Sequence, residues 1–173
     1  VSRLIDKLLS PGLLITCLVL MLCLISLYAL LGDKGKKELD YATSLVAGVG
    51  IVYTILLTVQ NRRASAAARF AERWNNPDFC KIRRAIGPII RQEREVGDAD
   101  RSNLAIMLNF FEEMSISVSL GEAQELMLRK FFKSAVIQSV TVLGPWIAER
   151  QKFQPTAYGE YLKLVRRWRD LDL

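Results

Sequence analysis

Apolar and polar positions follow two different rules along this chain. From Leu13 to Leu31, nineteen consecutive residues carry no charge and are almost wholly apolar, and a second uncharged run of eighteen extends from Ala42 to Val59. At 1.5 Å per residue the first run reaches about 28 Å, roughly the hydrocarbon thickness of a bilayer. With ten residues between them, the runs predict a transmembrane hairpin: spans 13–31 and 42–59, within a unit of residues 1–61. Beyond residue 61 the apolar positions recur with the 3.6-residue period of amphipathic helices.

Local signals divide that second part. No proline or glycine interrupts Ile51 to Asn76, so the second span is expected to continue as one helix of about 35 residues. Asn76-Pro77-Asp78 ends it and opens another, with Asn76 as N-cap, Pro77 in the first turn and Asp78 favourable to the helix dipole. Phe79, Ile82, Ile86, Ile89 and Ile90 give its buried face, and Gly87-Pro88 should kink or close it. The charged stretch EREVGDADRSN follows, with Asp100 or Ser102 as the next cap.

Leu104 to Leu120 is apolar around most of its circumference. Leu104, Leu108, Phe111 and Val118 share a face flanked by Met107 and Met114, the pattern of a helix in the middle of a bundle. The next helix is expected to open at Glu122 with a polar stripe of Glu122, Glu125, Arg129 and Lys133. Leu128, Phe131, Phe132, Ala135 and Val136 should face inward, and Gly144-Pro145 should break or kink it. A last helix from Thr156 to about Leu171 should bury Tyr161, Leu162, Val165 and Trp168. No useful β-alternation occurs. The expected fold is an all-α membrane protein: a transmembrane hairpin, then an antiparallel bundle of four or five helices over residues 62–173, its first helix continuous with the second span.

Charge adds an orientation. Residues 62–91 hold eight basic and two acidic side chains, whereas residues 92–173 hold eleven basic and twelve acidic ones. Arg62, Arg63, Arg69 and Arg73, directly after the second span, should stay cytoplasmic, with the N-terminus on the same side and the short loop GDKGKKELD outside. The first run is too long for a signal-peptide core, and Leu27-Tyr28-Ala29 makes a poor cleavage site, so an uncleaved anchor is expected. Arg62, Arg63 and Arg69 are candidate contacts for anionic lipid headgroups, each worth about 1 kcal/mol near the surface. Nucleic acid is a poor partner for this cluster, which abuts the membrane and lacks interleaved aromatics. Within the second span, Ser44, Ala47, Gly48, Gly50 and Thr54 offer small side chains for close helix–helix contact, either with the first span or with another subunit.

Catalytic chemistry is sparse. The chain has no histidine and three cysteines. Cys17, Cys23 and Cys80 have no metal-ligand spacing and are expected as reduced thiols. The GDKGKKE segment lacks phosphate-loop spacing. The Asp98/Asp100 stretch lacks the glycine and the closing glutamate of a calcium loop. No enzyme, cofactor or metal is expected. Neither span carries a charge, which argues against a proton-coupled transporter acting alone. Asn109, Glu112 and Glu113 are expected as a buried polar cluster paired with Arg73, Arg83, Arg84 or Arg166, because unpaired buried charge is costly.

The order hydrophobic hairpin, NRRASAAARFAERWNNPDF, NLAIMLNFFEEMSISV and YLKLVRRW resembles a family of small bacterial membrane proteins with two N-terminal spans and an all-helical cytosolic domain of unknown function. That resemblance implies the bacterial inner membrane, with N-terminus and C-terminal domain cytoplasmic, and no catalytic residue. Similar layouts occur in pore-forming antiviral effectors, and in helical ribonucleases whose Arg-x-x-x-x-His motif this histidine-free chain cannot provide. The expected function is non-enzymatic: a bundle that mediates oligomerisation or docking, its partners being membrane lipids and either itself or other membrane-protein subunits, the latter as an accessory subunit of a larger complex. The alternative is a membrane-disrupting effector triggered through the cytosolic domain.

Overall fold

The structure, a computed structural model, describes residues 19, 21–23, 25, 26 and 36–170, with side chains in the last segment from residue 43. Regular structure among the described residues is entirely helical. Residues 19, 21–23, 25 and 26 are helical, but most of the first apolar run, and with it the expected hairpin, lies outside the described residues. The chain divides into two units, Val1–Leu56 and Leu57–Leu173.

Helix α1 spans Lys36–Asn75, 40 residues. It starts six residues ahead of the expected boundary, so Lys36 to Asp40 are helical rather than loop; after Gly35 nothing in the sequence opposes the helix. In the first unit Leu45, Val49, Ile51, Val52, Ile55 and Leu56 of this helix are all exposed, while Val46 and Tyr53 are partly covered. In the second unit the same helix supplies Ala67 and Phe70 to a core shared with the four α-helices that follow it.

That core is aromatic. Trp74 of α1 lies 5.4–5.8 Å, centroid to centroid, from Phe79, Phe110, Phe111 and Phe132. Such pairs contribute about 0.5–1.5 kcal/mol each beyond area burial, so Trp74 fixes α1 against the other helices. Helix α2, Pro77–Ile90, begins as the sequence specifies: Asn76 caps it by accepting the Asp78 N–H at 2.9 Å, with Pro77 at the first position. Pro88 sits in its last turn and the helix closes two residues later, where the Arg91 N–H donates to the Gly87 carbonyl.

A 3₁₀ turn, Asp98–Asp100, leads into α3, Arg101–Ser119. Asp100 holds the cap position of α3, but its carboxylate makes no cap bond. It turns back instead to accept both Arg94 terminal nitrogens, at 2.5 and 2.8 Å, and the Gly97 N–H at 3.0 Å. These bonds hold the Asp100 carboxyl at about 2, well below its usual 3.8.

Helix α3 is the central element. It buries Leu104, Met107, Leu108, Phe110, Phe111, Met114, Ser115 and Val118. Helix α4, Glu125–Phe153, opens three residues later than the sequence suggests, because the preceding turn takes those residues. Gly144-Pro145 does not break it. Pro145 removes one ladder bond, to the Thr141 carbonyl, at an exposed position. Phe131 points away from the core and is 62% exposed, contrary to the inward reading, while its neighbour Phe132 is buried. Helix α5, Gly159–Asp170, also starts three residues late, behind turns that leave Tyr158 at φ 59°. It buries Tyr161, Leu164, Val165 and Trp168; Leu162 is only partly buried, so Leu164 takes the place expected for it.

Candidate functional site

A groove of about 990 Å³ lies in the second unit, with α1 as one wall. Arg62, Ala66, Arg69 and Arg73 follow one another at intervals of four, three and four residues, so they form a single stripe along that helix. The opposite wall is Glu113 and Ser117 of α3 with Gly121 and Glu122 of the turn beyond it. Arg73 is neutralised by Glu113, whose Oε2 lies 2.5 Å from Nη1. Arg62, Arg63 and Arg69 are exposed, and among the described residues no ion pair engages them. The groove therefore presents three uncompensated guanidinium groups, which are planar, permanently charged and suited to bidentate contact with phosphate.

The turn that closes the groove is locally encoded. Helix α3 ends with the Gly121 N–H donating to the Val118 carbonyl and the Glu122 N–H to that of Ser117. This double bond pattern is a Schellman motif, and it requires a left-handed residue just past the helix. Gly121 supplies it at φ 69°. The chain then reaches α1, where the Gln124 N–H donates to the Arg63 carbonyl at 3.1 Å.

The expected polar cluster is not a buried cluster. Asn109 and Glu113 are exposed and Glu112 is half-buried. At i, i+3 and i+4 the three share a helix face, and α3 turns that face to the edge of the core because Phe110, Phe111 and Met114 occupy the inside. Of the four arginines considered as partners, Arg73 holds Glu113. Arg83 instead stacks on Trp74, 4.6 Å from the ring centroid, and donates to Cys80 Sγ at 3.3 Å.

Glu112 has a different role. Its carboxylate accepts the N–H of Glu160 at 3.2 Å and of Tyr161 at 2.7 Å, the second and third residues of α5. Those donors are normally satisfied by a short polar side chain at the N-cap. Tyr158 holds that position here and cannot do it, so Glu112, 48 positions upstream of Glu160, does. Only the mid-helix carboxylate pair hinted at this in the sequence. The α5 tyrosine itself is latched at its other end: Tyr161 Oη donates to the Val136 carbonyl and lies 2.7 Å from Ser139 Oγ. Burial pushes its phenol well above the ordinary value.

Of the cysteines, Cys23 and Cys80 are free thiols, as expected, and Cys17 lies outside the described residues. On the first unit's part of α1, Ser44, Ala47, Gly48, Gly50 and Thr54 are all exposed. Apart from the adjoining backbone of α1 itself, no described atom lies within 4 Å of where a Cβ would stand on Gly48 or Gly50. Thr54 turns its hydroxyl onto its own helix, donating to the Gly50 carbonyl at 2.8 Å.

Residues 42–168 match the family model described as Domain of unknown function (DUF4760). The chain belongs to that family. The DUF4760 match begins with the uncharged run of α1 and ends at Trp168 in α5, so the family's unit takes in the groove and both of its walls. No curated protein and no solved structure matches the chain.

Proposed function

We propose that this is a non-enzymatic integral protein of a bacterial cytoplasmic membrane, anchored in part by the first half of α1. Its helical domain lies on the cytoplasmic side and docks against the anionic leaflet and against other membrane subunits or copies of itself. One observation carries this reading: the most apolar stretch of α1 has no buried residue, and the helix runs directly from it into a basic segment where, among the described residues, Arg62, Arg63 and Arg69 have no acidic partner. A bare apolar helix needs lipid or protein around it, and unpaired arginines beyond its end suit phosphate headgroups. Space at Gly48, which shares a helix face with Ser44, supports close packing of a second helix there.

Thiol labelling tests it. In a chain whose own cysteines are replaced, Lys152→Cys should be shielded from an impermeant reagent in intact cells and react after permeabilisation. Lys34→Cys should react from outside, and alkaline carbonate should leave the protein in the membrane. Release by carbonate overturns the anchor, and external labelling at position 152 overturns the cytoplasmic placement.

A further inference from the structure

We infer that the turn between α3 and α4 is a second membrane contact, in which Leu120 and Leu126 enter the apolar edge of the anionic leaflet while Arg62 and Arg63 hold its phosphates. The inference rests on the membrane reading above and adds to it a surface and a partner. Three independent observations converge on this turn. The first is its level along α1: the Gln124 N–H is bonded to the Arg63 carbonyl, four residues past the last residue of the uncharged run, or about 6 Å of helix. The headgroup layer on each side of a bilayer is about 5–7 Å deep, so a turn tied to Arg63 lies within it.

The second is exposure. Leu120 is 68% and Leu126 51% exposed, and they bracket the turn, whereas Ala123 between them is buried. The Schellman geometry sets this out: Gly121 reverses the chain tightly enough for Ala123 to pack inward, which leaves the flanking leucines outside. The third is charge. The guanidinium of Arg63 lies 3.6 Å from where a Cβ would stand on Gly121, so a cation adjoins the apolar pair. Glu122, the one acid of the turn, lines the groove. Apolar side chains next to arginine, at the depth of the headgroups, are what interfacial segments use to bind anionic lipid.

The experiment uses the full chain in phosphatidylglycerol–phosphatidylcholine vesicles, its own cysteines replaced and one thiol carrying an environment-sensitive fluorophore. Labels at Leu120→Cys and Leu126→Cys should emit further to the blue than one at Lys152→Cys, and brominated acyl chains should quench them. Phosphatidylcholine alone should weaken both effects. A label at Ile55→Cys reports the anchor separately. If position 55 is quenched while 120 and 126 match 152, the turn does not touch lipid and the inference falls with the anchor intact. If position 55 is also unquenched, the anchor reading fails and this inference with it. A blue-shifted but unquenched label at 120 or 126 means that protein covers the leucines, which overturns it too. Equal quenching in neutral vesicles would remove the arginines from the contact.

Discussion

Helices α1 and α4 are both long and apolar enough to cross a bilayer, and they differ in what covers them. The most apolar stretch of α1 has none of its length buried, whereas 28% of the corresponding stretch of α4 is buried. The difference follows from how the apolar residues are arranged. From Ala42 to Val59 they surround the helix, so no single face can be hidden against a domain. In α4, Leu128, Phe132, Val136, Leu143 and Ile147 recur at helical spacing and are buried by the core and by α5. Length and composition treat the two helices alike; periodicity separates them.

The strongest way to break that distinction is truncation inside α4. Phe132→Ala should destabilise the helical domain by about 3–5 kcal/mol in chemical or thermal unfolding followed by circular dichroism. Phe131→Ala, one residue away but exposed, should stay within about 0.5 kcal/mol, and Ile55→Ala should leave the domain's transition in place. If Phe131 and Phe132 cost the same, α4 is not seated as described.

A smaller effect sharpens the account of how α4 is covered. Helix α5 lies over it, with Trp168 Nε1 and Arg167 Nε both on Glu125 Oε1 at 2.8 and 2.9 Å, and α5 depends on Glu112 for its N-terminal donors. Glu112→Ala should therefore cost about 1–2 kcal/mol, the upper part of the range for a lost cap. Glu113→Ala breaks an ion pair whose side chains are half-exposed, so it should cost between 0 and about 1 kcal/mol. A reversed order in the melting temperatures would show that the Arg73–Glu113 bridge, not the cap, holds the helices together.

The smallest effect concerns the start of α3. The Asp100 carboxyl is held at about 2 in the folded chain, against an ordinary 3.8, by Arg94 and the Gly97 N–H. A depressed carboxyl stabilises the fold at pH above 3.8 and loses that contribution as pH falls from 3.8 through about 2. Asp100→Asn should accordingly melt lower than the parent at neutral pH, and the gap should narrow across that acid window. A gap independent of pH would point to geometry rather than charge.

Much of this was legible in the residues. Asn76-Pro77-Asp78 marked a boundary because each residue acts on its own backbone, and Leu104, Leu108, Phe111 and Val118 marked the central helix because burial follows period. What failed was long-range. Glu112 and Glu113 are adjacent and chemically identical, yet one caps α5 and the other pairs with α1, a division set by which neighbours pack there. Phe131 and Phe132 posed the same problem within α4, where two aromatics compete for one inward position. Gly144-Pro145 signals a break locally, but the packing of Leu143 and Ile147 on either side keeps α4 in one piece. At the groove, Arg62, Arg63 and Arg69 were visible as charges, while the opposite wall, supplied by a turn some sixty residues downstream, was not.

The borrowed cap has a consequence for how the domain opens. Helix α5 has 12 residues, at the lower limit for a helix that persists alone in water, and the side chain that completes its first turn belongs to α3. It therefore has little autonomous existence: when Glu112 lets go of its first amides and Tyr161 leaves its stack on Phe111, 5.5 Å away between centroids, the whole segment is released as one cooperative unit rather than fraying residue by residue. Hydrogen exchange should show the amides of Glu160 and Tyr161 sharing a single opening rate with the rest of α5. That step would bare the α4 face beneath Tyr161 and Trp168 and, on α3, the ring of Phe111 on which Tyr161 stacks.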